Sequence, residues 1–243
     1  MAVAIVTGAG SGIGAAAAKA LAARGDHVVC ADIVKSAAET IASGLEGASA
    51  VEVDVSDARS CDAMVAHAVE RYGAVDGIAT CAGIEKHGVG HEFAEEDFDR
   101  IIDVNLKGTW LCARAAARSM ISAGHGGTIV MIGSINSIVG NAGASAYCAS
   151  KGGVLMLGRT LALDWAPNGI RVNIVGPGVV NTPMSARSLA IPERRARMMD
   201  RTPLGRPASA DEIASVIAFL MSDASSFMTG AYVPVDGGSL AAW

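Results

Sequence analysis

Tyr147 and Lys151, two side chains able to move a proton, lie four residues apart. On a helix, residues at this spacing share one face, so the phenol and the ammonium would point the same way. Ser134, whose hydroxyl can donate a hydrogen bond, comes thirteen residues earlier, at the end of a predicted strand. A Tyr-x-x-x-Lys pair alone is common on amphipathic surfaces. Ser134, Tyr147 and Lys151 therefore indicate acid–base chemistry only if other residues of the chain indicate which reaction they would serve.

Gly8, Gly10, Gly12 and Gly14 directly follow the first predicted strand and open a helix. Glycine permits a tight turn and a close backbone approach to a pyrophosphate, and the helix N-terminus offers N–H groups and a positive dipole. Glycine clusters also serve ordinary turns. Here the strand before and the helix after predict a dinucleotide site, with the other contacts of the turn coming from Ser11 and Ile13.

Asp32 ends the second predicted strand, where a carboxylate can accept hydrogen bonds from both hydroxyls of the adenosine ribose. A 2'-phosphate would be repelled there and would usually need Arg or Lys nearby. Ser11 and Ile33 carry no charge, and Lys35 is the one close candidate. An isolated Asp would be a solvated strand end, but its place relative to the glycines predicts NAD in preference to NADP.

Short β-branched runs alternate with helical stretches along the whole chain, which predicts a Rossmann-like α/β fold. We expect a doubly wound parallel sheet of seven strands with helices on both faces. The predicted strands are residues 3–7, 27–32, 50–55, 75–80, 128–132, 170–175 and 232–235.

Several helix ends carry their own signals. Gly25 closes the first helix, and Ser56 with Asp57 opens the third. Ser209 and Glu212 have the spacing of a capping box before the apolar run 213–220.

No repeat or linker divides the 243 residues, so residues 1–243 are predicted to form a single domain. Residues 176–208 show no clear periodicity, and we interpret them as a functional loop. Within them, residues 182–207 are predicted to be a mobile lid over the nicotinamide, with a helix-like stretch at 192–200. The alternative is a rigid surface helix.

In combination, these residues resemble the short-chain dehydrogenase/reductase family over essentially the whole chain. The resemblance implies hydride transfer between NAD and a secondary alcohol or the matching ketone. The matching features are Thr7 to Gly14, Asp32, Asp54, Val55, Ala82, Gly83, Asn105, Ser134, Tyr147, Lys151, Pro177, Gly178, Thr182 and Val235 to Gly238.

The resemblance assigns four catalytic residues. Tyr147 would be the acid/base, with a pKa lowered by the Lys151 ammonium and the positive nicotinamide. Lys151 would also hydrogen-bond the nicotinamide ribose, and Ser134 would bind the substrate oxygen. Asn105 would hold a water that links Lys151 to solvent. A buried Asn that satisfies helix backbone is the alternative, and both can hold.

Further cofactor contacts follow from the same resemblance. Asp54 would accept from the adenine amino group while Val55 donates through its backbone, although Asp54 can also be purely structural. Pro177, Gly178 and Thr182 would shape the pocket floor and bind the carboxamide, with a backbone contact from Val180. The alternative is turn chemistry after a strand.

The chain departs from the family pattern Asn-Asn-Ala-Gly, which reads Thr80, Cys81, Ala82, Gly83 here. Cys81, Ala82 and Gly83 are expected to keep the backbone contact to the adenosine side. The side-chain hydrogen bonds of an Asn at position 81 would be lost, which affects cofactor affinity.

The composition excludes several classes. A net charge of -5 gives no general attraction to nucleic acid or to membrane lipids. The five histidines lack metal-like spacing, so we expect no metal. Five scattered cysteines predict reduced thiols in the cytoplasm, and no leader or spanning run is present.

The arginines of the long loop and the apolar C-terminal tail allow two further interpretations. The arginines of the long loop can attract an anionic substrate or form the solvated face of its helix, and we favour the solvated face; they are Arg187, Arg194, Arg195, Arg197 and Arg201. Trp243 and the tail after Gly238 resemble segments that pack between subunits in the family, which predicts a homotetramer.

Two other functions compete with a dehydrogenase of small alcohols. A 3-oxoacyl-[acyl-carrier-protein] reductase belongs to the same family, but Asp32 disfavours it because such reductases resemble NADPH enzymes. A dinucleotide-binding sensor without turnover would not need the acid/base set. The substrate pocket is expected in residues 84–91, 135–141 and 184–199.

Overall fold

The computed structural model describes residues 1–242, and in it seven parallel strands form one sheet in the order β3-β2-β1-β4-β5-β6-β7. The predicted doubly wound fold is confirmed. The strands are β1 Val3–Thr7, β2 His27–Asp32, β3 Ala48–Glu52, β4 Gly77–Thr80, β5 Gly127–Ile132, β6 Ile170–Pro177 and β7 Tyr232–Val235. The helices are α1 Gly12–Ala23, α2 Lys35–Ala42, α3 Ala58–Tyr72, α4 Glu95–Ile102, α5 Gly108–Ala123, α6 Ser145–Trp165, α7 Pro183–Leu189, α8 Pro192–Met199 and α9 Ala210–Leu220.

Both faces of the sheet are covered by helices. Apolar side chains of α1, α2 and α9 pack on one face, and those of α3, α5 and α6 pack on the other. Strands buried on both sides must be apolar at nearly every position, which explains continuous runs such as the one in β5. The rigid sheet thus fixes the positions of the loops at its edge.

The third strand starts and ends earlier than predicted, and the fourth strand starts later than predicted. Residues 53–55 and residue 75 belong to no strand, although Val53, Val55 and Val75 are buried. Their apolar pattern continues beyond the strands because these side chains belong to the core on the α3 and α5 face of the sheet. The apolar pattern of the sequence indicates which residues are buried, and a buried residue need not belong to a strand.

The strand order reverses between β1 and β4, which both pair in parallel with their neighbours. A crevice opens at the carboxyl ends of strands at such a point. The turn after β1 and the segment after β4 meet there, since a Cβ on Gly8 would lie 2.9 Å from the Ala82 backbone. The left-handed φ of Gly8, +65°, also favours glycine.

The predicted helix ends are found. Asp57 caps α3 by accepting from Arg59 N, and Ser209 and Glu212 form the capping box of α9. Gly25, with φ of +92°, follows α1. The interpretation of residues 176–208 as one loop is wrong in part, because α7 precedes the expected helix at 192–199. Thr182, three residues before Ser185, forms a capping box that signals α7.

No helix within residues 1–242 is both long enough and apolar enough to cross a membrane.

Candidate functional site

Two cavities lie along the carboxyl edge of the sheet, with volumes of about 610 and 330 Å³. They share part of their walls, so together they form one groove; the shared residues are Ile13, Cys81, Gly83, Thr182 and Met184. The smaller cavity contains the glycine turn and Asp32, and the larger contains Tyr147 and Lys151. Apart from Gly10 of the glycine turn, every residue predicted to bind the cofactor lines one of the two.

Tyr147 and Lys151 lie in successive turns of α6, as their spacing predicted. Lys151 Nζ is 5.7 Å from the centroid of the Tyr147 ring. The same ammonium donates a 2.7 Å hydrogen bond to Ile132 O at the end of β5. This bond directs the buried lysine across the sheet edge, toward the groove.

Ser134 is held from several sides. Tyr232 donates from its hydroxyl to Ser134 O at 2.8 Å. Ser134 N donates to Ser137 Oγ at 3.2 Å, and Ser137 Oγ donates to Lys151 O at 2.8 Å. The Ser134 hydroxyl donates to Asn136 Oδ1 at 3.4 Å and accepts from Asn136 N at 3.1 Å. The three candidate catalytic side chains are thus brought together by two residues that sequence reasoning missed.

Ser137 had a detectable signal, and Tyr232 had none. Ser137 stands three residues after Ser134, the spacing of a capping box, and the two serines form one. Tyr232 lies 98 residues from Ser134 in the chain. Only the pairing of β6 with β7 brings its hydroxyl to this site.

Burial dominates the pKa values of the pair. It raises the pKa of Tyr147 above its usual value, and the charge of Glu85 raises it further, while the hydrogen bond with Ser134 lowers it. Burial lowers the pKa of Lys151 to about 8. The predicted lowering of the Tyr147 pKa involves the positive nicotinamide as well as Lys151, and it stays a prediction for the enzyme with its cofactor bound.

Asn105 is fully buried in a π-helical turn, Asp103–Lys107, between α4 and α5. Its Oδ1 accepts from Ile84 N at 2.8 Å, and its Nδ2 donates to Ile84 O at 2.9 Å and to Ser150 Oγ at 3.1 Å. The side chain therefore fixes the loop after β4 against α6. The Asn105 side chain thus hydrogen-bonds to backbone groups of a loop, whereas the alternative considered from the sequence was an Asn that satisfies backbone groups of a helix.

The glycine turn and Asp32 support each other. Asp32 Oδ2 accepts from Gly10 N at 2.9 Å, and Oδ1 accepts from Val34 N at 2.9 Å. A Cβ on Gly10 would lie 2.9 Å from Asp32 Oδ2, so this position needs glycine. A carboxylate has about four lone-pair sites, so Asp32 keeps acceptor capacity toward the cavity that it lines.

The residues after β3 and β4 complete the smaller cavity. Asp54 Oδ1 accepts from Ser56 N at 2.9 Å and from Ser56 Oγ at 2.6 Å, which is the structural role considered above. Asp54 and Val55 also line the cavity, together with Ile33, Cys81 and Ala82. Burial raises the pKa of the Cys81 thiol to about 12, so the thiol is neutral in the groove.

The segment after β6 forms the wall between the two cavities. Pro177, Gly178 and Val180 line the larger cavity, and Thr182 lines both. Thr182 Cβ would lie 3.4 Å from a Cβ on Gly12, so the start of α7 faces the glycine turn. The groove fits an extended dinucleotide, because glycines leave space along the smaller cavity and the cap of α7 spans the junction.

The arginines of the long loop divide into two sets. Arg194, Arg197 and Arg201 line the larger cavity, whereas Arg187 and Arg195 do not. All five arginines are exposed, as the solvated-face interpretation predicts, and three of them also line the cavity. Of the predicted pocket segments, residues 84–91, 135–141 and 184–199 each contribute to the wall.

Metal-binding side chains do not cluster. Within residues 1–242, no three or more of the His, Cys, Asp and Glu side chains form a group that could hold a metal ion. His27 stacks on Tyr72, and His87 pairs with Glu85 at the cavity wall.

Comparisons with known proteins identify a matching family model and similar proteins. A family model described as enoyl-(acyl carrier protein) reductase matches residues 8–239. The chain is 44% identical to cis-4-hydroxycyclohexanecarboxylate dehydrogenase of Sinomonas cyclohexanicum, over 97% of this chain and 95% of that protein. It is 39% identical to meso-2,3-butanediol dehydrogenase of Serratia marcescens, over 98% and 94%.

Among solved structures, a short-chain type dehydrogenase/reductase from Mycobacterium marinum superimposes with a TM-score of 0.93. That protein is 35% identical, and the match covers 98% of this chain and 95% of the other. Sequence and fold therefore point to the same relatives.

Proposed function

The chain belongs to the short-chain dehydrogenase/reductase family, and we propose that it is an NAD-dependent enzyme with Tyr147, Ser134 and Lys151 as its catalytic residues. As an oxidoreductase of this family, it acts on CH–OH groups and interconverts secondary alcohols and ketones with a nicotinamide dinucleotide. The choice of NAD and the residue roles are the parts that we propose.

One observation carries the catalytic assignment. Ser134, Tyr147 and Lys151 all line the larger cavity, and Lys151 Nζ lies 5.7 Å from the centroid of the Tyr147 ring. In oxidation, the alcohol O–H proton passes to the Tyr147 oxygen while the carbon loses hydride and becomes a ketone carbon. When bound, the nicotinamide ring supplies the hydride acceptor and, in its oxidised form, a positive charge.

To accept the proton of the alcohol, Tyr147 needs a pKa well below the raised value that burial gives it. Lys151 and the bound nicotinamide are the positive charges available to lower it. Ser134 donates to the substrate oxygen and keeps it beside Tyr147. Lys151 holds the nicotinamide ribose, and Asn105 holds a water that carries the proton onward to solvent.

Three observations support NAD. Asp32 lines the cavity where the ribose of adenosine would lie, and its neighbour Ile33 is apolar. Lys35, the nearest cation in sequence, is 57% exposed and lies 3.8 Å from Glu39 on its own helix. Its charge is thus directed toward Glu39, and a 2'-phosphate beside Asp32 would meet repulsion.

A 3-oxoacyl-[acyl-carrier-protein] reductase is the second candidate, and the chain is 38% identical to a protein of that description from Thermotoga maritima. Such an enzyme would reduce a protein-borne 3-oxoacyl thioester, with NADPH as the expected reductant. Asp32 argues against this role by repelling the 2'-phosphate. A non-catalytic sensor is disfavoured by the assembled acid/base set.

An alcohol panel separates these candidates. We would follow NADH or NADPH formation with cis-4-hydroxycyclohexanecarboxylate, meso-2,3-butanediol and cyclohexanol, and NADPH consumption with an acyl-carrier-protein thioester. The expected result is oxidation of at least one alcohol with NAD. Turnover restricted to the thioester would favour the carrier-protein reductase, and binding of NAD without turnover of any compound would favour the sensor.

Assembly and location complete the proposal. We expect a homotetramer, because large apolar side chains lie exposed on α5 and α6; they include Trp110, Ile121, Met156 and Leu163. Sedimentation analysis would measure it. Trp243, which suggested the tetramer, lies outside the described residues. A cytoplasmic location fits five cysteines that are all free thiols in the structure.

A further inference from the structure

Three arginines line the larger cavity, which also contains the catalytic trio, and together they form a positive wall. Arg194 and Arg197 lie one turn apart on α8, and Arg201 follows in the turn that ends this helix. All three line the cavity that also contains Ser134 and Tyr147. Arg195, on the same helix, does not line it. The cationic wall is therefore a property of one helix face.

This wall contrasts with the charge of the molecule. The chain carries a net charge of -5, yet the residues lining the larger cavity include three arginines and Lys151 against a single carboxylate, Glu85. Glu85 is itself paired with His87. Among residues 1–242, no carboxylate forms an ion pair with Arg194 or Arg197. Their charge is available to a ligand.

The rest of the wall is largely apolar. Val89, Val139, Met184 and Met198 line the same cavity as the arginines. Apolar side chains around a few convergent polar groups are typical of sites that orient a small molecule. Methionines adapt to ligands of different shape.

The geometry points to a substrate that is an apolar hydroxy acid or keto acid, whose carboxylate is bound by Arg194 and Arg197 while its secondary alcohol carbon faces Tyr147. Guanidinium groups match carboxylates because they offer paired N–H donors in one plane. This inference rests on the proposed dehydrogenase activity, to which it adds the class of substrate. Arg194 and Arg197 act here as specificity-determining residues.

The test compares an acid with a neutral analogue. We would measure kcat/KM with saturating NAD for cis-4-hydroxycyclohexanecarboxylate and for the matching carboxamide. The variants are the double substitution Arg194→Gln with Arg197→Gln, and Arg195→Gln as the matched control on the same helix. Binding of cyclohexanecarboxylate to the enzyme–NADH complex, by calorimetry, provides a readout that needs no turnover.

We expect the double variant to lose about a hundredfold in kcat/KM for the acid, roughly tenfold for each charge-assisted contact. The carboxamide should change by no more than about threefold, which also shows that the variant folds. Arg195→Gln should leave both compounds within about threefold of wild type. Added salt should weaken turnover of the acid selectively, since it screens the attraction.

Equal use of acid and carboxamide by the wild type, or an equal loss for both in the double variant, would overturn the inference while leaving the dehydrogenase activity intact. If the wild type oxidises neither compound, calorimetry decides. Binding of cyclohexanecarboxylate that the double variant loses supports the arginine site even then. Absent binding, or binding that the double variant retains, refutes it.

Discussion

Asp32→Asn separates the two roles of the carboxylate that ends β2. Asp32 accepts one backbone N–H on each oxygen, from Gly10 and from Val34. An Asn amide has one acceptor oxygen, so one of the two donors loses its partner. The bond from Val34 is the exposed one, and water can replace it there. We expect a loss of about 1 kcal/mol, which lowers the Tm by about 2–4 °C for a chain of this size.

The cofactor effect should be larger. Two unit charges about 4 Å apart near a protein surface repel by up to ~4 kcal/mol, and solvent screening leaves part of this. Removing the Asp32 charge should therefore improve kcat/KM with NADP by at least about tenfold. Loss of a charged acceptor for the ribose should weaken NAD use by about tenfold. The NAD-to-NADP ratio would fall by about a hundredfold.

Steady-state kinetics with both cofactors and thermal unfolding measure the two effects. Glu52→Gln is the matched control, because Glu52 pairs in register with Asp32 but is exposed and lies outside the cavity. It should leave the ratio unchanged. If Asp32→Asn also leaves the ratio unchanged, Asp32 does not face the ribose and the reasoning for NAD fails. An unchanged Tm would instead show that the second backbone bond to Asp32 adds no stability.

Three further predictions follow from the site. Tyr147→Phe should lose nearly all turnover while NAD binding, measured by calorimetry, stays within about threefold, because the ring packs alike and carries no proton; turnover within tenfold of wild type would contradict the mechanism. Because burial lowers the pKa of Lys151 to about 8 from 10.5, the unfolded chain binds the extra proton between these values, so this group's contribution to stability rises with pH across that window. In urea unfolding, wild type should gain about 2–3 kcal/mol relative to Lys151→Met between pH 7 and pH 10, and a constant difference would refute the shift. Amides of residues 182–207 should exchange fast in the free enzyme and slow with NAD plus a substrate analogue; high protection in both states would favour the rigid surface helix.

Local sequence patterns were sufficient to predict the architecture and the residues that line the smaller cavity. Alternating strands and helices follow from periodicity, and the glycines, Asp32 and the α9 capping box are each positioned within one or two adjacent elements. The pairing of Tyr147 with Lys151 likewise needs only helical spacing. Such features are readable because a few neighbouring residues fix them.

Long-range packing sets how the candidate catalytic side chains are held and which arginines line the cavity. Tyr232 supports Ser134 from 98 residues away, and Lys151 donates to Ile132 across the gap between a helix and a strand. The pKa of Tyr147 depends on burial among several elements and on the charge of Glu85. Residues distant in sequence meet through packing of the whole sheet and its helices, and no local spacing encodes those contacts.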